Sequence, residues 1–139
     1  MIKVRLPHAE WTPRPHQIEL WKYLQSGGTR AVAIWHRRAG KDEIMLHHGA
    51  TSAFKRVGNY WHCLPEFEQA RRSIWTAVNP HSGKRRIDEA FPHELRENTN
   101  DSTMFIRFKN QSTWACIGSD RYDATMGASP AGITYSEYA

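Results

Sequence analysis

The chain has 139 residues, a length that fits one domain or part of one, and its six Trp, five Tyr and five Phe supply the bulk for a core. Its mean hydropathy of −0.69 and the lack of any apolar run near the roughly 20 residues of a membrane helix exclude a helical span. The stretch from Met1 to Pro7 lacks the apolar region of a secretory signal. A net charge of +5 and a pI near 9.5 favour polyanionic partners such as nucleic acid, nucleotides or acidic lipid surfaces, alongside plain solubility.

In chain order, residues 1–13 read as an extended arm, because Pro7 and Pro13 do not sit in a helix interior. Arg14-Pro15-His16-Gln17 opens a helical pattern that runs to Gln25, with Pro15 in the first turn and Ile18, Trp21 and Leu24 or Gln25 on one face. Ser26-Gly27-Gly28 stops it. Ala31 to Trp35 reads as a first core strand, and a helix carrying Ile44, Met45 and His48 follows. Asn59 to Leu64 is a second strand, closed by Pro65, and Glu66 to Val78 is a helix with Phe67, Ala70, Ile74 and Val78 on one stripe.

Residues 79–100 read as polar and irregular, with a short helical piece over 85–90. Met104 to Phe108 and Thr113 to Ile117 form a hairpin across Lys109-Asn110-Gln111-Ser112. After a loop, Ala131 to Ser136 is a last strand. Alternating strands and helices followed by a hairpin predict an α/β fold, with a mainly parallel sheet flanked by helices. Cys63 and Cys116 each lie inside an apolar run and read as buried, reduced thiols.

The chemistry centres on Trp35-His36-Arg37-Arg38-Ala39-Gly40-Lys41-Asp42. A strand, a tight basic turn and a helix N-terminus bring backbone N–H groups and a lysine onto one anion. The stretch matches the phosphate-loop pattern G-x-x-x-x-G-K-[ST] in part: Trp35 replaces the first glycine and Asp42 the hydroxyl. A basic turn between a buried strand and a surface helix is the plainer alternative.

Upstream, the amide of Gln17 is suited to one edge of an adenine, or simply to solvent. At the end of the last strand, Glu137 is placed to orient a water at a γ-phosphate, or merely faces water. Arg37 and Arg38 flank the phosphate position, where either is suited to act as an arginine finger. A phosphate loop commonly offers a hydroxyl to Mg²⁺ and the facing strand a carboxylate. Here the loop offers Asp42 and the strand offers Ser136, an exchange of positions that leaves Mg²⁺ its oxygen ligands.

Several pieces occur in one order. They are Arg14-Pro15-His16-Gln17, the stretch from Trp35 to Asp42, Leu64 to Ala70, Ile106-Arg107-Phe108, Gly118 to Asp123, and Gly132 to Ala139. Together they resemble the ATPase domain of the large terminase subunit of tailed bacteriophages.

The resemblance implies a P-loop NTPase of the RecA/ASCE-like class that binds ATP and Mg²⁺ and packages double-stranded DNA. It implies contact of Gln17 with adenine and of Arg38, Ala39, Gly40, Lys41 and Asp42 with the phosphates and metal. It also implies γ-phosphate sensing by Arg37 or Arg38, and Glu137 as the catalytic carboxylate. Portal protein, a small terminase subunit and further copies of the chain are the implied partners, and the bacterial host cytoplasm the implied location. On this reading residues 1–139 are the N-terminal portion of one ATPase domain with an incomplete sheet, and lack a coupling motif and nuclease domain. A helicase-like ATPase and an inactive prophage remnant that only binds are the alternatives.

Overall fold

The computed structural model describes residues 4–7, 11–35, 40–120 and 129–137. Its centre is a five-stranded mixed sheet of order β2-β3-β4-β1-β5, comprising β1 (Asn59–Leu64), β2 (Arg96–Asn100), β3 (Phe105–Phe108), β4 (Thr113–Gly118) and β5 (Pro130–Tyr135). Strand β1 runs parallel to both β4 and β5, whereas β2, β3 and β4 form an antiparallel meander. The α/β class, the parallel centre and the antiparallel hairpin are therefore as expected from the sequence.

The helices follow from local chemistry. A 3₁₀ turn at Pro15–Gln17 leads into α1 (Ile18–Gln25), with proline at the first position, where its missing N–H costs nothing. Helix α2 (Lys41–Lys55) starts after Gly40, whose φ of 82° lies in the left-handed region. A side chain at Gly40 would also run into those of Arg14 and Gln17. Asp42 and Glu43 in the first turn and Lys55 in the last suit the helix dipole. Ile44, Ala50 and Ala53 on α2 are buried, and the two alanines leave room for close packing.

Helix α3 (Phe67–Ala70) passes into a π-helical turn, Arg71–Trp75, closed by the Thr76 N–H donating to the Arg71 carbonyl at 2.9 Å. The wider turn puts both Ile74 and Trp75 inside, and Trp75 lies nearly parallel to Trp114 with 6.4 Å between ring centroids. Helix α4 (Arg86–Ala90) and a 3₁₀ turn at His93–Leu95 lead into β2.

Three expectations are corrected. Ala31 to Trp35 is not a strand: it pairs with no strand among the described residues, and Val32 and Ile34 are 88% and 91% exposed. Residues 96–100, read as irregular, form β2, an edge strand whose alternation is hidden by its polar composition. Val78 leaves the helical stripe, is half-exposed, and makes an isolated bridge to Arg85. Both cysteines are buried and unbridged. Among the described residues, no helix is long and apolar enough to cross a membrane.

Candidate functional site

The carboxyl ends of β1 and β5 meet the N-terminus of α2. There a cavity of about 950 Å³ is lined by Lys41, Asp42, Thr134, Ser136 and Glu137 at one end, with Met45 and His48 along α2. The crevice at strand carboxyl ends is where open α/β sheets hold ligands. Segment 28–33 forms another wall of the cavity, so the exposed apolar run before the basic turn borders the site without joining the sheet.

Lys41 Nζ donates to the Trp35 carbonyl at 3.1 Å. Gly40 is also held from outside. Gln17 is fully buried, its Nε2 donates to the Gly40 carbonyl at 3.2 Å, and its Oε1 accepts the Arg14 N–H at 2.9 Å. Gln17 is thus beside Gly40, with its amide engaged on backbone. Arg37, Arg38 and Ala39 lie outside the described residues.

Asp42 joins three elements. From the first turn of α2, its Oδ1 accepts from Nε2 of His62 on β1 at 2.9 Å, and Ser136, just beyond β5, lies close enough to its carboxylate to favour the ionised form. Burial pushes the Asp42 carboxyl upward. The His62 bond, the nearby Ser136 hydroxyl and the Lys41 charge outweigh it, leaving the group below its usual range. It is therefore a carboxylate at neutral pH.

Ser136 is fixed in turn: its N–H donates to the Cys63 carbonyl at 2.8 Å, which extends the β5 ladder by one residue. Glu137 then turns off with φ 63°, in the left-handed region a non-glycine residue rarely adopts. The strand thereby ends abruptly, and Glu137 is exposed at the cavity mouth.

Sequence reasoning missed His62. It is buried, and its ring is tilted against Trp114 with centroids 6.3 Å apart. The available signal was alternation: Tyr60, His62 and Leu64 share one face of β1, so a titratable residue stands among core positions near a strand's carboxyl end. A second group clamps the N-terminal arm to α2. The Trp11 indole donates to Glu43 Oε1 at 2.7 Å, Arg86 donates to Glu43 Oε2 at 2.7 Å, and Trp11 stacks on His47 at 4.2 Å.

Among the described residues, no group of three or more His, Cys, Asp or Glu side chains is placed to hold a metal ion by itself. At the end of the cavity formed by Lys41, Asp42, Ser136 and Glu137, the oxygen donors include the Asp42 carboxylate, the Ser136 hydroxyl and the Glu137 carboxylate. Such a set suits a magnesium ion that keeps waters and takes further oxygens from a phosphate. Comparison of the chain with protein-family models, with curated proteins and with solved structures returned no match.

Proposed function

We propose that the chain is the nucleotide-binding and hydrolysing part of a P-loop ATPase resembling the large terminase subunit, acting on double-stranded DNA. The carrying observation is that Lys41, Asp42, Ser136 and Glu137, from opposite ends of the sequence, line one cavity at the carboxyl ends of the parallel strands β1 and β5. The ordered motif series and the excess of positive charge support the same reading.

In this reading Lys41 exchanges the Trp35 carbonyl for the β- and γ-phosphates and neutralises their charge. Asp42 and Ser136 would hold Mg²⁺, which would supply positive charge against the phosphates. Glu137 accepts a hydrogen bond from the attacking water and aims its oxygen at the γ-phosphorus. Phosphoryl transfer depends on such placement more than on covalent help. Arg37 or Arg38 supplies a further cation at the γ-phosphate, and Gln17 reads adenine once its amide leaves the backbone. Portal protein, a small terminase subunit and further copies of the chain are the corresponding partners, in the host cytoplasm.

Equilibrium binding of Mg·ATP together with phosphate release tests this reading. Lys41→Ala should weaken binding at least tenfold, while Glu137→Gln should keep binding and lose turnover. Equal binding by Lys41→Ala and the unsubstituted protein would remove the phosphate site. The exchange of ligand positions has its own test: Asp42→Ser weakens Mg·ATP binding, and adding Ser136→Asp partly restores it. Losses that simply add in the double variant count against the exchange.

A further inference from the structure

The pair formed by His62 and Asp42 has a geometry that packing alone does not require. The His62 side chain is 1% exposed and that of Asp42 35%, so a buried imidazole holds a carboxylate that still reaches the cavity. Only one ring nitrogen is used. Nε2 lies 2.9 Å from Asp42 Oδ1, and Nδ1 is buried without a hydrogen-bond partner among the described residues.

That asymmetry selects a tautomer. A proton on Nε2 gives the carboxylate its donor and leaves Nδ1 only a lone pair. A proton on Nδ1 would strand a buried donor, the costlier arrangement, and would take the donor away from Asp42. His62 sits on β1 with neighbours on both sides, its Cα paired with Cys116 on β4 and Thr134 on β5, so the ring is anchored on a strand inside the sheet.

We propose that His62 is a positioning residue that fixes the Asp42 carboxylate for a divalent cation bound with the nucleotide. His62 occupies Oδ1 and orients the carboxylate from β1, while the adjacent Lys41 bonds the Trp35 carbonyl and makes no ion pair with Asp42. Lys41 is thereby left for phosphate and Asp42 for the cation. A hydrogen-bonded outer partner of this kind commonly sets metal affinity by one to two orders of magnitude. The role rests on the reading of Lys41 and Asp42 as a Mg²⁺–nucleotide site.

The test uses Mn²⁺ as a paramagnetic probe, with ADP and the full chain. Free Mn²⁺ is measured by electron paramagnetic resonance, and ADP binding is measured separately in EDTA. His62→Leu, which removes the donor, should weaken Mn²⁺ binding in the presence of ADP about tenfold and leave ADP binding in EDTA unchanged. His62→Gln, whose amide N–H stands near the position of Nε2, should recover most of the loss. His62→Asn, whose amide is too short to reach Asp42, should not, and it replaces His62→Leu as the donor-free variant if the latter folds poorly by circular dichroism.

Unchanged Mn²⁺ affinity in the donor-free variants, with ADP binding intact, overturns the role of His62 alone. Equal losses in the Gln and Asn variants also overturn it, because they trace the effect to packing. Failure of the unsubstituted protein to bind ADP overturns the nucleotide reading and this role together.

Discussion

The two sides of β1 are built differently. On the β4 side, Trp114 is almost fully buried, 4.6 Å from Phe91 and near-parallel to Trp75, and Phe91 in turn packs on Phe108 at 5.6 Å. Met104, Ile106 and Ile87 close the same core, and all three are fully buried. On the β5 side, Ile133 and Tyr135 are exposed, the cavity opens, and Val32 and Ile34 point to water. One half of the sheet is packed like a protein interior, and the other is held by the His62–Asp42 hydrogen bond and the Ser136 N–H to the Cys63 carbonyl. The division sets where substitutions should register: losses of stability in the meander half and, on the proposed nucleotide reading, changes of ligand binding in the β1–β5 half.

Trp114→Ala should break the first half most severely. Removing a buried indole at the centre of three aromatic contacts should cost about 3–5 kcal/mol, read from urea unfolding. A loss below about 1 kcal/mol would mean that the two halves do not differ as described. Next comes Asp88, which binds the buried Arg96 guanidinium at 2.9 Å while Arg96 also donates to the Phe91 and Ile87 carbonyls. Asp88→Asn leaves that cation with neutral partners only and should cost about 2 kcal/mol.

The same pair has a pH signature. Burial raises the Asp88 carboxyl, but its bonds and charge interactions with Arg85 and Arg96 hold it below the ordinary value of 3.8. A depressed carboxylate stabilises fully above its unfolded pKa and loses that contribution as pH falls through the lower folded one. The stability gap between the unsubstituted protein and Asp88→Asn should therefore be constant near neutrality and shrink below about pH 3.8. A gap that widens in acid would assign the effect elsewhere. At the small end, Val32→Ser and Ile34→Ser should each change stability by less than about 0.5 kcal/mol, because neither side chain is buried. A loss of several times that would show that the run before the basic turn packs after all.

These contrasts explain what could be read from the sequence. Strands β1, β3, β4 and β5 were legible because Tyr60, Ile106, Trp114 and Ile133 stand in short apolar runs bounded by turn residues. Residues 31–35 carried the same local signal and are not a strand, since a run of Ala, Val and Ile states a preference but not a partner to pair with. Strand β2 failed in the opposite sense. Its Arg-Glu-Asn-Thr-Asn has no apolar period, and it is a strand because β3 offers it a ladder.

At the site, Lys41, Asp42, Ser136 and Glu137 could be named from loop chemistry and strand ends. The link between Asp42 and His62 could not, because it depends on α2 crossing β1 at one particular register. Gln17 was singled out for its motif position, and its burial against Gly40 is a tertiary fact with no local sign.

The two thiols give the β1–β4 seam a clock. Cys63 and Cys116 lie on adjacent parallel strands, and burial pushes Cys63 up to about 11 and Cys116 well above its ordinary range. Neither offers appreciable thiolate while the strands are closed, so alkylation at neutral pH advances only when the seam opens, and its rate counts openings. Cys63 is the more informative hand, since it follows His62 in the chain and its carbonyl receives the Ser136 N–H. Whatever tightens Asp42 and Ser136 slows that reaction, and a reagent no larger than iodoacetamide is enough to time it.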